Sequence, residues 1–311
     1  MKQTEIADSH TGARAAIHPL LLLLICGGAF ALYWYTSFVV VERKISALFG
    51  AEPTAPASPR PARAWLAPAS ALAAALTRGS SATSLLTPLT SGFRIATLEV
   101  DLEALRKAAH RAGATINDLL LLAVAEALRT AARERGEQLR RVVISVPTTP
   151  GPSDGEPSRN RVGGFLVSVP ERRGDETDTQ LLGRLAARTR RRKRLARASS
   201  DSTALSAALV AAARMGWYRP LLEHQRAITT LVTNMRGPST PLTMLDARVR
   251  SLTPISPTLG NVGVVAAALS YAGRFRVTLR LDRSLWDVED ILVEALDAAL
   301  SRLADVRDRV Q

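Results

Sequence analysis

From Phe93 onward the chain alternates short apolar runs with amphipathic stretches, the texture of an α/β domain. Arg94 to Val100 reads as a strand, and Leu102 to Arg111 as a helix stopped by Gly113. A second helix runs from Ile116 to about Arg133, and its stretch LLLLAVAEAL is apolar on nearly every side. Val142 to Val146 and Gly164 to Val169 are strands on either side of the loop TTPGPSDGEPSRNR. Helices follow over 177–198 and 203–222. Ile228 to Thr233, Arg248 to Leu252 and Val262 to Ser270 are strand candidates. In Arg274 to Leu281, Phe275, Val277, Leu279 and Leu281 take one face and Arg274, Arg276, Thr278 and Arg280 the other, a half-buried strand by period-2 alternation. Tyr271-Ala272-Gly273 turns the preceding strand into it. A helix from Val288 to Val306, N-capped by Asp287, closes the pattern.

Ahead of this domain the pattern changes twice. Pro19 to Val41 runs 23 residues without a charged side chain. As a helix it would reach roughly 34 Å, enough to cross a bilayer core of about 30 Å. Tyr33, Trp34 and Tyr35 lie in its later half, and Glu42, Arg43 and Lys44 end it. A signal peptide would have a shorter apolar core and a small-residue cleavage site soon after it; a buried helix or hairpin broken at Gly27-Gly28 is the other competing reading. Residues 51–63 hold four prolines with alanine and serine, a linker composition. Residues 64–92 give only a weak helix around Ala69 to Leu76. The expected organisation is a tail over 1–18, a transmembrane helix over 19–41, a linker over 42–92 and the α/β domain over 93–306. The basic residues on either side of the span place that domain, by a small margin, in the cytoplasm.

Composition narrows the chemistry. The 311 residues are 47% hydrophobic and 22% charged, which excludes a largely disordered chain. The single cysteine, Cys26, excludes an intramolecular disulfide, and four histidines supply little for a metal cage. Forty-one Lys plus Arg against 28 Asp plus Glu give a net charge of +13, which favours anionic partners. Arg184 to Arg197, RLAARTRRRKRLAR, holds eight basic residues in fourteen. A solvated helix face is the plain reading; a CoA phosphate or acidic lipid headgroups are the functional one, with Arg188, Arg191, Arg192 and Lys193 as candidates. Nucleic acid is not expected, because the run has no interleaved aromatics and no recognised binding module accompanies it.

Catalytic templates are sparse. His10, His18, His110 and His224 are isolated, and HExxH, GxSxG, P-loop and dinucleotide-binding glycine patterns are absent from the sequence. Thr115-Ile116-Asn117-Asp118 opens the apolar helix as an N-cap, with Asp118 completing an imperfect capping box.

Taken in order, GATINDLLLLAVAEALR, RVVISVP, NRVGGFLVSVP, TNMRGPSTPL and LSYAGRFRVTLRLDR resemble the C-terminal half of the wax ester synthase/diacylglycerol acyltransferase family of bacteria and plants. The resemblance spans roughly Phe93 to Leu303. It implies a chloramphenicol acetyltransferase-like (CoA-dependent acyltransferase) half-domain with a mixed sheet, here preceded by a hydrophobic N-terminal helix. It also implies an activity: a histidine of an HHxxxDG motif takes the proton of an alcohol or diacylglycerol hydroxyl, which attacks an acyl-CoA thioester. Asn117 and Asp118 match the family's Asn-Asp motif, which supports the reaction. Asn160, Arg161 and Asn234, with Gly237-Pro238, match motifs that shape the sheet and cleft. The HHxxxDG motif belongs to the family's N-terminal half and does not occur in this sequence. The expectation is a membrane-associated acyltransferase half without a catalytic histidine of its own. It needs no cofactor beyond acyl-CoA as co-substrate and acts with a separately encoded N-terminal half. The alternative is a non-catalytic module that binds acyl-CoA or lipid at a membrane surface.

Overall fold

The computed structural model describes residues 79–148, 163–198, 222–258 and 260–305. Eight strands and four helices are defined: β1 (Phe93–Asp101), α1 (Leu102–Arg111), α2 (Ile116–Glu134), β2 (Val142–Thr148), β3 (Gly163–Val169), α3 (Asp178–Ala198), β4 (Thr230–Arg236), β5 (Thr243–Met244), β6 (Ala247–Arg248), β7 (Val264–Tyr271), β8 (Arg274–Asp282) and α4 (Glu289–Ala304), the last preceded by a 3-10 helix at Arg283–Val288. Six strands form one mixed sheet in the order β1-β8-β7-β4-β2-β3. β7 runs parallel to β4, and β4 parallel to β2; the outer pairings are antiparallel.

Period-2 burial decides which face the helices cover. Phe275, Val277, Leu279 and Leu281 of β8 are buried on one face, joined there by Val264, Ala266 and Ala268 of β7, Val232 of β4, Val142, Ile144 and Val146 of β2, and Phe165, Val167 and Val169 of β3. All four helices share this cluster. Leu119 to Ala125 of α2 are buried without a break, so this helix is the centre of the core rather than an amphipathic cover, as its sequence predicts. Each fully buried leucine contributes roughly 1.5–3 kcal/mol of transfer free energy. On α3 the split is clean: Leu181, Leu182, Leu185 and Ala186 face the core, while Arg188, Arg190, Arg191, Arg192 and Lys193 are exposed. Asp178, at the start of α3, pairs with Arg172 and Arg302, and Arg302 also pairs with Glu126, so one ionic cluster joins α2, α3 and α4.

Several expectations are corrected. Residues 79–92, assigned to the linker by composition, are docked on the domain. Leu85 is 1% exposed within the core cluster, Leu86 bridges Val262, and Thr83 Oγ1 donates to Glu137 Oε2 at 2.6 Å. The strand expected over Arg248 to Leu252 is replaced by the two-residue strands β5 and β6, after which the chain runs without regular structure to residue 258. β4 begins two residues later than expected, at Thr230. Asp287 does not cap α4; it lies in the 3-10 helix and pairs with Arg135. The cap that turns the chain is Asp282, one helical stretch earlier. Pro19 to Val41, the proline-rich segment 51–63 and all but the last residue of the helix expected over 203–222 lie outside the described residues. Among the described residues no helix is long and apolar enough to cross a membrane.

The β5–β6 hairpin projects beside the sheet. Its turn residues Leu245 and Asp246 both have positive φ, 48° and 63°, positions where glycine or asparagine is usual. Its base is pinned by one phenol: Leu242 N donates to Tyr271 Oη at 2.8 Å, and Tyr271 Oη donates to the Val249 carbonyl at 2.8 Å. Tyr271→Phe should remove both bonds at about 0.5–1.5 kcal/mol each and leave the six-stranded sheet intact. Limited proteolysis should then cut within 242–249 faster than in the parent, with circular dichroism unchanged.

Asp282 holds β8 to residues 90–92. It is 3% exposed and accepts hydrogen bonds from Ser284 N (3.0 Å), Ser284 Oγ (2.8 Å), Thr90 N (2.8 Å) and Thr90 Oγ1 (3.1 Å). Burial pushes its pKa up, but the bonds from Ser284 and Thr90 outweigh this and hold it below the usual carboxylate value. A lowered folded pKa means the contribution is complete above the unfolded pKa of about 4 and is lost as pH falls through the folded value. Asp282→Ala should lower the unfolding free energy by about 2 kcal/mol at pH 7. In urea melts the gap between parent and variant should narrow only below about pH 4.

Candidate active-site cleft

The site lies where two parallel strands end. At the carboxyl ends of β4 and β7 the chain leaves in different directions, the position at which open α/β sheets form crevices. β4 continues into Gly237-Pro238-Ser239. β7 enters a two-residue turn at Ala272 (φ 46°) and Gly273 (φ 83°) and returns as β8. The two exits are stitched together: Gly237 N donates to the Ser270 carbonyl at 2.9 Å, and Ala272 N to the Pro238 carbonyl at 3.1 Å. A Cβ at residue 237 would stand 2.4 Å from the Ser270 oxygen, so only glycine permits this approach. The N-terminal ends of α1 and α2 form the opposite wall.

These walls enclose an open cleft of about 800 Å³. Its polar groups come from Asn117, Asn234, Ser239, Ser270, Arg106 and Arg236, and its apolar lining includes Leu102, Ile116, Met235 and Phe275. Asn117 is half-buried and Asn234 exposed, and neither side chain has a hydrogen-bond partner among the described residues. Both amides are therefore available to a ligand as donors and acceptors. Among the described residues no histidine, cysteine or carboxylate lines it. The cleft can bind and orient a polar group beside an apolar chain.

Asp118 does something different from Asn117. Thr115 caps α2 with its side chain accepting from Asp118 N at 3.2 Å, and Asp118 Oδ2 accepts from Thr115 N at 2.9 Å and Thr115 Oγ1 at 2.7 Å. This is the full reciprocal capping box, with Asp replacing the commoner Glu. Asp118 is 2% exposed and absent from the cleft lining, and its Oδ1 has no hydrogen-bond partner among the described residues. The carboxylate fixes the start of α2, and that start presents Asn117 to the cleft.

The remaining sequence candidates disperse. Arg188 donates to the Ser168 carbonyl at 3.2 Å, on the β3 side of the sheet. Arg191, Arg192 and Lys193 are exposed on α3, and none of the four lines the cleft. From the same helix, Arg190 donates to the Gly113 carbonyl at 2.9 Å, just before the α2 cap. Asn160 and Arg161 lie outside the described residues. Among the described residues no cluster of three or more His, Cys, Asp or Glu is placed to hold a metal ion. Arg236, Ser239 and Ser270 sit inside the motifs TNMRGPSTPL and LSYAGRF but were not singled out from the sequence; Arg106 had no signal at all, because nothing in a helix pattern marks which arginine faces a strand exit.

Comparison with known proteins fits this geometry. Residues 159–304 match the model of the WS/DGAT C-terminal domain. A protein of Mycobacterium tuberculosis named as the diacylglycerol O-acyltransferase tgs1 is 28% identical over 236 residues, covering 74% of this chain and 50% of that protein. A second M. tuberculosis protein with a diacylglycerol O-acyltransferase name is 28% identical over 222 residues, covering 66% of this chain and 43% of its own. The chain thus spans about half the length of these curated relatives. Among solved structures, the wax ester synthase/diacylglycerol acyltransferase from Marinobacter aquaeolei VT8 superposes with a TM-score of 0.56 at 20% identity, over 78% of this chain and 56% of that one. A nonribosomal peptide synthetase, FmoA3, superposes at 0.52 and 20% identity over 78% of this chain and 25% of its own, so the fold is shared beyond the acyltransferases. β1, α1, α2 and β2 precede the matched segment, yet β1 pairs with β8 and α2 fills its core, so the folded unit extends beyond it in sequence. Over residues 159–304 this chain is similar to the WS/DGAT C-terminal domain.

Proposed function

We propose that this chain is the C-terminal half of an acyl-CoA-dependent O-acyltransferase that makes wax esters or triacylglycerol. The observation that carries the reading is the convergence of three separate motifs, at Asn117, Asn234–Ser239 and Ser270–Gly273, on one cleft at the carboxyl ends of β4 and β7. The fold is of the chloramphenicol acetyltransferase-like type, and the second wall of its substrate tunnel comes from an N-terminal half bearing HHxxxDG. In the reaction, imidazole of that half takes the proton of the acceptor hydroxyl and the oxygen attacks the thioester carbonyl carbon. The carbon–sulfur bond then breaks, and the departing thiolate receives the proton as CoA-SH. The role of this chain is to hold the thioester and acceptor in reacting geometry, with Asn117 and Asn234 as hydrogen-bonding groups and Leu102, Ile116 and Met235 against the acyl chain.

The chain alone should transfer acyl groups from palmitoyl-CoA to hexadecanol or diacylglycerol no faster than background. Adding an HHxxxDG-bearing N-terminal half from a relative should restore ester formation. In the restored pair Asn117→Ala should lower kcat/KM by about 10- to 100-fold. Asp118→Asn should instead act mainly on the melting temperature, since its carboxylate serves the helix cap. Brisk ester synthesis by the isolated chain would overturn the division of labour. Retention of acyl-CoA by the chain, with no transfer in the pair, would favour the non-catalytic acyl-CoA- or lipid-binding module.

Attachment to the membrane through Pro19–Val41 belongs to the same proposal, supported by the 23 uncharged residues there. The full chain should stay in the membrane fraction through carbonate at high pH, and a variant lacking residues 19–41 should not. Release of the full chain by carbonate would reduce the attachment to a peripheral one.

A further inference from the structure

A second, smaller cavity lies beside the first and carries most of the local charge. About 370 Å³ in volume and half-open to solvent, it lies between the base of the β5–β6 hairpin and the β1–β8 ribbon. Four arginines line it, Arg248 and Arg250 from the hairpin side and Arg274 and Arg276 from β8, against a single carboxylate, Glu99 of β1. Glu99 is already engaged: its Oε1 accepts from Arg274 Nε at 2.7 Å and its Oε2 from Arg276 Nη2 at 2.5 Å. Its carboxyl is held below the usual range by the Arg274 bond, with burial opposing and Arg276 assisting. Arg248 and Arg250 are exposed and have no hydrogen-bond or ion-pair partner among the described residues. Three positive charges around this small space are thus unbalanced.

The frame is fixed rather than adaptable. Arg274 and Arg276 project from one face of β8 at period-2 spacing, in register with Asp101 and Glu99 of β1. The hairpin base that carries Arg248 and Arg250 is tied on both sides by Tyr271 Oη. Tyr271 and Ala272 line both cavities, so a ligand anchored in the basic one lies next to the larger cleft. Guanidinium forks match phosphate oxygens bidentately, and an anion held between them relieves their mutual repulsion. The exposed run on α3 is more basic, but it lines neither cavity.

We propose that the cavity bounded by Arg248, Arg250, Arg274 and Arg276 anchors the phosphate groups of a nucleotide-bearing ligand. That ligand, resting on the transferase reading above, is the adenosine-phosphate end of acyl-CoA. The acyl thioester then reaches the Asn117–Asn234 cleft past Tyr271.

The test is equilibrium binding by the full chain at low salt, with inorganic pyrophosphate, adenosine 3′,5′-bisphosphate, palmitoyl-CoA and phosphatidylglycerol vesicles as probes. Arg248→Ala/Arg250→Ala removes two exposed, unpartnered side chains and should weaken the three soluble probes by about tenfold or more, with melting temperature unchanged. Glu99→Gln should tighten them by about threefold, a change of sign that mere loss of structure would not produce. Arg191→Ala/Arg192→Ala, on α3, should change them by less than about twofold. Parent-like binding of pyrophosphate and the bisphosphate by the Arg248/Arg250 variant overturns the cavity, as does equal weakening by the α3 variant. Binding to the vesicles alone also overturns it, since the phosphate would then be a lipid headgroup. If both small phosphates respond to the variants but palmitoyl-CoA binds no tighter than pyrophosphate, the anion site stands and the transferase reading falls.

Discussion

The close approach of Gly237 to the Ser270 carbonyl is the contact on which the rest of the site depends. Parallel strands diverge where they stop pairing, and a cleft at that point keeps its shape only if the two exits are held at a fixed distance. Here the Gly237–Ser270 and Pro238–Ala272 bonds do this, and the first leaves no room for a side chain. Everything downstream inherits the geometry. Ser270 and Tyr271 are placed by the same turn, Tyr271 in turn fixes the hairpin, and the hairpin places Arg248 and Arg250.

The opposite wall is set by burial. α2 is apolar on almost every side, so its position is determined by the core and not by solvent, and its first turn cannot slide without exposing leucine. The capping box then fixes where the helix begins. Together these place Asn117 at the cleft while Asp118, one residue on, is turned inward. A rigid core thereby presents a short polar face to the cleft.

The distribution of charge separates two kinds of arginine. On α3 the basic residues lie on a solvated face and their sequence density is high, yet their positive field is shared with bulk water. Around the smaller cavity the arginines come from two stretches 24 to 28 residues apart, and the Tyr271 bonds that hold the hairpin bring them together. Charge concentrated by tertiary structure around a concave surface acts on a ligand more strongly than the same charge spread along an exposed helix.

The sequence alone determined the parts of the fold that local physics controls. The alternation in Arg274–Leu281, the apolar circumference of 116–133 and the glycine-bearing turn at 271–273 each have a period or a backbone requirement that no packing partner could reverse. The motif order was equally legible and identified the domain. Tertiary structure decided the rest, for identifiable reasons. Residues 79–92 look like linker because their composition is bland, and only contact with Val262 and Glu137 makes them part of the core. Asp287 resembles an N-cap in isolation, but Arg135 claims its carboxylate while Asp282 makes the turn. Asn117 and Asp118 form one motif as letters and serve two purposes as side chains, because adjacent helical positions point about 100° apart. Which arginines meet across a cavity depends on where Tyr271 holds the β5–β6 hairpin against β8, a contact between segments that neither segment specifies alone.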